Sequence, residues 1–557
     1  MHKMVTALAA TLLMASGLFA PLSAQEAIEV HVLELEAVVL DANGKAVDGL
    51  TRADLEVLLD GKPAEVTNFY AVRRGQVVDE QRERGFADTA GTRYEPASAK
   101  SRLIVVFDEM HLAPAGRARA VAALRKYLDT ALTPGMTATI LRYDGMISVA
   151  AKTTAERAEL LRGLAQLEKT PATEALRNRT ERERLMRTID EIATGGGRQD
   201  LNRAMRAEMA LRDVELYAVR QAAVSERTLA AVSDLLAMAA GLEGRKVVLY
   251  VSEGIPMQPG IELFEYASDL FLRTGIGGTG LGLDKLQGGR GTETRREHSR
   301  DFDALVQRAQ RSGISFSALD PGGIRGLEGT GPEVRESLGR VNTMLMRENE
   351  TAGLRLVAAQ TGGRFITNEN NLDQAIAVLT GDVSTYYSLG VHPPENRNKA
   401  IDVKIRVRGR DDVRVLTSRN RAITSRSEAV SSGVRARLYS REQDNVLKAR
   451  AFLGSAWPDG KRCVAPVQVV VPAESLTFLD GKAQVEVYAI ALDEQQNESP
   501  VRSIQRTVTV KAGESVNEAI TFGFQPRRYL VSLAIVDAIS GETSYLLTDV
   551  DAKVCGY

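Results

Sequence analysis

Short apolar runs separated by amphipathic segments occupy the middle of the chain. Continuous apolar runs of this length are typical of strands buried on both faces, and apolar residues at helical spacing are typical of the helices that cover such a sheet. The runs that we interpret as strands are 103–107, 138–143, 247–251, 314–319 and 386–391. The segments that we interpret as helices are 115–132, 155–167, 202–240, 302–311, 351–361 and 372–379. The pattern therefore predicts a doubly wound, Rossmann-like α/β domain over residues 101–392.

Residues 173–241 interrupt this alternation with a segment longer than one crossover helix requires. The segment is dense in Arg and Glu, as at Arg177, Arg179 and Glu181. We interpret it as an inserted pair of helices that projects from the sheet. Its charges form either a solvated helical face or a docking surface for another macromolecule, since a long insertion in a compact domain usually has a function.

Alternating apolar and polar residues, typical of half-buried strands, flank the α/β segment on both sides. On the amino-terminal side they predict a small β-rich domain at 26–72, followed by a polar linker at 73–100. The helical signal stops beyond Pro393-Pro394, where a β pair is predicted at 398–426. A C-terminal β-sandwich is predicted at 440–557, with strands at 466–471, 483–491, 503–510, 518–522 and 529–536.

The first 24 residues have the pattern of a secretory signal peptide. A basic start at Lys3 is followed by an apolar stretch and by Pro21 with small residues. We expect cleavage after Ala24 and export to the periplasm or the cell surface. No later stretch of the sequence is long and apolar enough to predict a transmembrane helix.

Composition narrows the classes of partner. Lys and Arg number 71 and Asp and Glu number 72, so the charges nearly cancel and binding to nucleic acid is not expected. The two cysteines, Cys463 and Cys555, exclude a cysteine zinc cluster. In an exported protein they are candidates for a disulfide, and two free thiols are the alternative.

Acidic residues stand at the ends of two of the predicted strands. The strand 103–107 runs into Asp108, and the strand 247–251 runs into Ser252-Glu253-Gly254. A strand that ends in Asp and a later strand that ends in Ser-Glu-Gly resemble the von Willebrand factor A family, over roughly residues 101–392. The order of signal peptide, β domain, A-like domain and C-terminal β region is similar to that of exported A-domain-related proteins of acidobacteria.

The resemblance implies a metal-ion-dependent adhesion site, in which Asp-x-Ser-x-Ser and later Thr and Asp residues hold Mg²⁺. Asp108 matches the first ligand, Glu253 stands at the position of the last, and Thr194 is the candidate for the loop threonine. Met110 and Leu112 stand at the two serine positions, and neither side chain offers oxygen to a hard cation. The resemblance therefore implies a degenerate site, at which Mg²⁺ or another divalent cation would have Asp108, Thr194 and Glu253 as ligands.

Two interpretations of the acids remain open. In one, Asp108, Glu109 and Glu253 hold a cation through waters, with His111 nearby. In the other, Asp108 caps the following helix by accepting backbone N–H bonds. Asp320, after the strand 314–319, borders the same rim in either case, because the carboxyl ends of parallel strands meet at one edge of the sheet.

Motifs of enzymatic chemistry are not found in the sequence: it has no Gly-x-Ser-x-Gly, no His-Glu-x-x-His and no phosphate-binding loop with its lysine. Trp457, Tyr386 and Tyr387 are interpreted as core or strand residues rather than as ligand platforms. We therefore expect a non-enzymatic binding or scaffolding protein whose rim of Asp108, Glu109, His111, Glu253 and Asp320 takes a protein partner. The alternatives are a metal-dependent hydrolase that uses the acidic cluster, and an envelope-assembly scaffold that acts through the helical insertion.

Overall fold

The computed structural model describes most of the chain after residue 32. The described residues are 33–82, 100–130, 132–133, 135–169, 173–195, 201–242, 244–276, 297–323, 340–392, 400–421, 425–454, 457–459, 462–495, 497–509 and 514–552. The predicted signal peptide at 1–24 lies outside them. In the part of the chain that is described, no helix has the length and apolar character needed to cross a membrane.

The elements are numbered in chain order. The first strands are β1 (Leu33–Leu40), β2 (Leu55–Leu59), β3 (Lys62–Ala64), β4 (Val66–Arg73) and β5 (Gln76–Arg82). The middle of the chain contains β6 (Ser101–Asp108), α1 (Pro114–Thr130), β7 (Met136–Tyr143), β8 (Ile147–Thr154), α2 (Arg157–Glu168), α3 (Thr173–Thr194), α4 (Leu201–Ala240), β9 (Arg245–Val251), α5 (Ile261–Arg273), α6 (Ser299–Arg311), β10 (Ile314–Leu319), α7 (Arg340–Thr361), β11 (Phe365–Ile366) and α8 (Leu372–Ser384). The rest contains β12 (Tyr386–Val391), β13 (Ile401–Val407), β14 (Arg414–Leu416), β15 (Asn420–Arg421), α9 (Arg426–Ser440), β16 (Arg450–Leu453), β17 (Trp457–Asp459), β18 (Arg462–Pro472), β19 (Ala483–Asp493), β20 (Arg502–Val508), β21 (Ser515–Phe524), β22 (Arg528–Asp537) and β23 (Thr543–Asp551).

The α/β region has one six-stranded sheet with helices on both faces. Its order is β11-β10-β9-β6-β7-β8, and all its ladders are parallel except that of β8, the antiparallel edge strand. Helices α1, α2 and α8 cover one face, and α6, α7 and the second half of α4 cover the other. Every residue of the central strand β6 is buried, as continuous apolar strands in a parallel sheet should be. The chain reverses direction across the sheet between β6 and β9, which is the topological switch point where α/β domains place their ligands.

The inserted segment consists of α3 and the first half of α4. These helices do not lie on the sheet but pack with α5 around a separate core that contains Leu185, Ile189, Val214, Tyr217 and Phe271. Apolar residues in the second half of α4 belong to the core of the sheet instead, among them Val232, Leu235 and Leu236. The long helix α4 therefore connects the insertion rigidly to the α/β domain.

The amino-terminal β domain is completed by strands from beyond the α/β region. Two sheets, β14-β1-β12-β4-β5 and β15-β13-β2-β3, enclose a common core that contains Leu35, Val57, Phe69, Leu389 and Ile405. The prediction that 386–391 belongs to the parallel sheet is wrong, because β12 pairs antiparallel with β1 and β4. A short run that is buried throughout has the same appearance in the centre of a sandwich as in a parallel sheet.

Two further predictions about this domain differ from the structure. Within 398–426 a β pair is present, but β13 forms it with the short strand β15 and not with β14, which pairs with β1 in the opposite sheet. The rest of β13 pairs with β2. Within 73–100, residues 76–82 form β5 rather than a linker. Arg74 and Gly75 both have positive φ, as a tight two-residue hairpin between β4 and β5 requires.

The C-terminal β region consists of two packed sheets. In one, β18 pairs with β21 on one side and with β16 and β17 in succession on the other. The second has the order β20-β19-β22-β23, and a shared apolar core lies between the two sheets. Cys463 is disulfide-bonded, and Cys555, the only other cysteine in the sequence, lies outside the described residues.

Helix α9 covers the outer face of the second sheet, so the prediction that helices stop beyond Pro393-Pro394 is wrong. Ser425 and Glu428 form a capping box at its start. Its buried residues Val430, Val434 and Leu438 are four positions apart, which places them on one side of a helix. The polar residues between them weaken the amphipathic pattern, but the capping box is visible in the sequence.

Candidate functional site

Asp108 ends β6 at the switch point, and its side chain is completely buried. Its Oδ2 accepts hydrogen bonds from the hydroxyls of Tyr250, at 2.7 Å, and Ser252, at 3.0 Å. Nδ1 of His111 lies 2.9 Å from the same oxygen. Oδ1 accepts a bond of 3.1 Å from the backbone N–H of Met110, so Asp108 fixes the turn after β6 and does not cap α1.

These donors stabilise the negative charge of Asp108. Burial by itself would raise the pKa of this carboxyl group, but the charge of His111 and the hydrogen bonds from His111, Tyr250 and Ser252 outweigh burial and lower the pKa of Asp108 below its ordinary value. Burial and the neighbouring carboxylate raise the pKa of Tyr250 well above the ordinary value, so its phenol keeps the proton that it donates. Asp108 is therefore ionised at neutral pH.

His111 is held on one side only. Its side chain is 8 % exposed, and with Nδ1 facing Asp108 the other ring nitrogen, Nε2, is buried with no hydrogen-bond partner among the described residues. Glu109 shows the same asymmetry. Its Oε2 accepts a bond of 2.9 Å from Arg117 Nη1, whereas no described residue bonds to its buried Oε1. Burial raises the pKa of Glu109, and the nearby Arg117 opposes that shift.

Glu253 reaches from the loop after β9 to the start of α1. Its Oε1 accepts a bond of 3.3 Å from the backbone N–H of Ala113, and its own N–H donates to the carbonyl of His111 at 3.2 Å. A Cβ at Gly116 would lie 2.4 Å from Oε1, so glycine leaves the space that the carboxylate occupies. The positive end of a helix dipole stabilises such a carboxylate. Glu253, from a different strand, therefore has the capping role that one interpretation gave to Asp108.

Asp320 borders this group from the loop after β10. Its carboxylate accepts bonds from the backbone N–H of Gly322, at 2.8 Å, and from the hydroxyl of Thr367, at 3.0 Å. The ring of the following residue, Pro321, lies close to Gly116 on α1. The structure thus brings Asp108, Glu109, His111 and Glu253 to one rim and places Asp320 at its border.

Thr194 does not take part in this arrangement. It is the last residue of α3, and its hydroxyl donates to the carbonyl of Asp190 in the same helix at 2.9 Å. Among the described residues, no group of three or more His, Cys, Asp or Glu side chains has an arrangement that could hold a metal ion.

Helix α3 approaches the rim through a different residue. Arg182 Nη1 donates to Glu350 on α7 at 3.0 Å. The backbone of Glu350 packs so closely against Gly254 that a Cβ there would lie 2.5 Å from its carbonyl oxygen. Thr194 is twelve residues beyond Arg182, about 18 Å along the helix. The insertion and the rim therefore meet at Arg182, Glu350 and Gly254.

Tyr250 and Ser252 are not among the site residues predicted from the sequence, although both bind Asp108. Val106 pairs with Tyr250 across the β6–β9 ladder. Because side chains two positions apart share a face, Asp108 lies on the same face as Tyr250 and Ser252. A polar Tyr inside an apolar strand, two residues before Ser252, was the available signal.

Comparison with known proteins adds little to these observations. No protein-family model matches the sequence, and a search of curated proteins found no match. Among solved structures, an aerotolerance-related membrane protein from Bacteroides fragilis is similar at 10 % identity, over 51 % of this chain and 98 % of that chain, with a TM-score of 0.23. The conserved hypothetical protein BatB from Bacteroides thetaiotaomicron is similar at 10 % identity over the same shares, with a TM-score of 0.21. Scores this low carry no argument about function.

Proposed function

We propose that this chain is an exported, non-enzymatic binding or scaffolding protein, whose von Willebrand factor A-like domain takes a protein partner at the carboxyl-end rim without a metal ion. The sheet supports the A-like assignment, since in order of appearance its strands run 3-2-1-4-5-6 with the third antiparallel at the edge. Asp108 and Ser252 stand on either side of its switch point, where such a domain presents its binding site.

The observation that carries the metal-free part of the proposal is the full set of protein donors on Asp108. Oδ2 faces Tyr250, Ser252 and His111, and Oδ1 faces the N–H of Met110. A hard cation needs carboxylate lone pairs directed at it, and here protein donors take those of Oδ2 and one of the two on Oδ1. The imidazole of His111, held against Asp108, supplies the compensating donor that a cation would otherwise supply.

The other acidic side chains favour binding over hydrolysis. A hydrolase needs a base or a metal-bound water that faces its substrate. Glu109 is instead paired with Arg117, and Glu253 lies at the amino end of α1. These contacts hold the loops of the rim in one conformation, as a binding surface requires. The junction of Arg182, Glu350 and Gly254 further supports a partner surface that continues from the rim onto the insertion.

Site-specific photo-crosslinking tests partner binding. A photoreactive amino acid at Met110, in the turn that Asp108 holds, should crosslink to a protein partner in cells that express the chain. The same group at Val149, which is exposed on the edge strand β8, is the matched control. We expect Asp108→Asn to abolish the Met110 crosslink and EDTA to leave it unchanged. The absence of any crosslink specific to Met110 would refute partner binding at the rim.

Calorimetric titration tests the metal-free part separately. We expect Mg²⁺, Mn²⁺ and Ca²⁺ to give no saturable heat with the wild-type protein, and the same result with Asp108→Ala. Saturable binding that Asp108→Ala removes would show that a cation displaces His111 from Asp108. It would overturn this part of the proposal while leaving the crosslinking result intact.

A further inference from the structure

The two outer faces of the C-terminal sandwich are covered differently. On the sheet that contains β19 and β22, Tyr488, Ile490 and Ala534 pack against α9. On the other sheet, the outward positions along β18 alternate with core residues such as Ala465 and Val467. The outward residues of its neighbour β21, among them Ala519 and Thr521, are exposed.

Aromatic side chains stand at the uncovered edge of this second sheet. Trp457 and Phe452 are each 47 % exposed, so of the two interpretations of Trp457 the structure supports the strand residue, in β17, and not the core residue. Trp457 pairs with Val464 and Phe452 pairs with Gln468, which are four residues apart on β18. Both rings therefore lie on the same outward face, about 13 Å apart along the strand.

Small residues keep the surface around the two rings open. The cross-strand row that contains Trp457 and Val464 ends in Gly523 on β21. The row that contains Phe452 and Gln468 ends in Ala519. Between the rings, Gly454 donates its N–H to the carbonyl of Pro466 at 2.8 Å. A Cβ at Gly454 would lie 2.8 Å from the Pro466 ring and 3.2 Å from Gln468 Nε2. Phe452 and Trp457 thus border a shallow surface on which no side chain at position 454 covers Pro466 and Gln468.

The surface is neutral over its whole middle. Arg450, at the row of Val470, and Asp459, at the opposite end, carry the charges of the edge strands, and the outward-facing paired positions between them are apolar or uncharged polar. Gln468 and Thr521 supply an amide and a hydroxyl beside the rings. Neither nucleic acid nor an acidic peptide is suited to such a surface, because both bind through charge.

The size of the surface favours a small ligand over a second copy of the chain as its occupant. Three strands span about 10 Å, and positions 464–470 span about 20 Å, which gives an area on the order of 200 Å². A stable protein interface buries about 800 Å² on each partner. Pro458 in β17 also removes one backbone donor from the edge, which disfavours strand addition by another chain.

From these observations we propose that the aromatic face, defined by Phe452, Trp457, Pro466, Gln468, Thr521 and Gly523, binds a neutral oligosaccharide. The C–H-bearing face of a sugar ring carries partial positive charge and stacks on the electron-rich face of an aromatic ring. The hydroxyls at the edge of the sugar would bond to Gln468 and Thr521. The site is independent of the α/β rim, and binding there would place the rim next to a polysaccharide.

Trp457 is the only tryptophan in the sequence, so tryptophan fluorescence reports this site alone. The full chain would be titrated with linear hexasaccharides of four neutral classes: β-linked glucose, α-linked glucose, mannose and N-acetylglucosamine. We expect a saturable fluorescence change with at least one class, and an affinity that does not depend on salt concentration because no charges take part. No change with any of the four, or strongly salt-dependent binding, would overturn the proposal.

Variants locate the binding. Phe452→Ala should weaken the affinity at least tenfold, and Gln468→Ala should weaken it several-fold, with the emission of Trp457 before titration serving as a check on folding. Phe478→Ala is the matched control, since Phe478 is a partly exposed aromatic residue in the segment between β18 and β19. Equal losses from Phe452→Ala and Phe478→Ala would contradict the site. Sedimentation velocity that shows self-association lost in Phe452→Ala would assign the face to a second copy instead.

Discussion

The two ends of the α/β sheet both bury charged side chains, but they connect different parts of the chain. At the amino ends of β6 and β9, Arg245 Nη1 lies 2.7 Å from Glu36 on β1, and Arg102 Nη1 lies 2.6 Å from Glu442 beyond α9. These partners are 209 and 340 residues apart in sequence. At the carboxyl ends, the contacts of Asp108 with His111 and of Glu109 with Arg117 span three and eight residues.

This difference separates stability from recognition. The amino-end charges join the sheet to the amino-terminal sandwich and to the segment that leads into the C-terminal sandwich, so the relative placement of these bodies depends on them. The carboxyl-end charges fix a single turn and the start of α1. That end leaves Nε2 of His111 and Oε1 of Glu109 without partners in the described part of the chain. The amino end of the sheet therefore joins the domains, whereas the carboxyl end is the place of the proposed partner binding.

The largest expected effect is that of Arg245→Ala. Arg245 is 3 % exposed, and its removal takes away the cation in direct contact with the carboxylate of Glu36, although Lys246 and Arg421 remain nearby. Because breaking a buried ion pair is costly, we expect the free energy of unfolding to fall by about 3 kcal/mol in urea denaturation. Arg212→Ala is the control, since Arg212 pairs with Glu208 on an exposed helical face. Similar losses in both variants would contradict a stabilising role for the amino end.

Asp108→Asn should cost less, about 2 kcal/mol, because the amide NH2 replaces one acceptor oxygen. In either orientation it meets a donor, the hydroxyls of Tyr250 and Ser252 or the N–H of Met110. The lowered pKa of Asp108 means that the fold favours its ionised form. The stabilisation is complete above the unfolded pKa of about 3.9 and is lost as pH falls through the lower folded pKa. The difference between wild type and variant, measured by urea denaturation, should therefore shrink below about pH 4. A difference that is constant down to pH 2 would show that the charge of Asp108 does not contribute.

The sequence predicts the residues of the rim better than it predicts the charged contacts at the amino end of the sheet. Asp108 and Glu253 follow apolar strands, and parallel strands bring their carboxyl ends together, so pattern and topology suffice. The partners at the amino end come from β1 and from beyond α9, and no local pattern relates Glu36 to Arg245. For the same reason β12 was assigned to the wrong sheet, since its neighbours β1 and β4 lie more than 300 residues earlier.

Helical spacing also has a limit in this chain. It identified α1, α2, α4, α6, α8 and the second half of α7, which all contribute apolar residues to the sheet core. It missed α9, whose surroundings depend on a sheet formed later in the sequence. Thr194 was chosen for its position before glycines, but its hydroxyl is satisfied within α3. Neither residue type nor position in the sequence shows whether a hydroxyl in the last turn of a helix faces the rim or bonds to its own helix.

Lys246 follows Arg245 in β9. Its effect on the pH dependence of the free energy of unfolding tests the amino end of the sheet separately from the carboxyl end. Burial is the main cause that lowers the pKa of Lys246 to about 8. An unfolded lysine keeps its proton up to about pH 10.4, so between these values the unfolded chain binds more protons and stability rises with pH. Relative to Lys246→Met, we expect the wild type to gain about 2 kcal/mol over this range in urea denaturation. Parallel pH profiles of the two proteins would contradict the burial of this ammonium group.

The smallest effect, and the sharpest test of the contrast, is that of Glu253→Gln. The amide oxygen of Gln can still accept from Ala113 N–H, so the change keeps this hydrogen bond and removes the charge at the amino end of α1. We expect a loss of about 0.5 kcal/mol in urea denaturation, the usual size of a helix-dipole contribution at a partly exposed site. A rim specialised for recognition should tolerate this change. If Glu253→Gln cost as much as Arg245→Ala, the carboxyl end would be as necessary for stability as the amino end, and the separation of roles would fail.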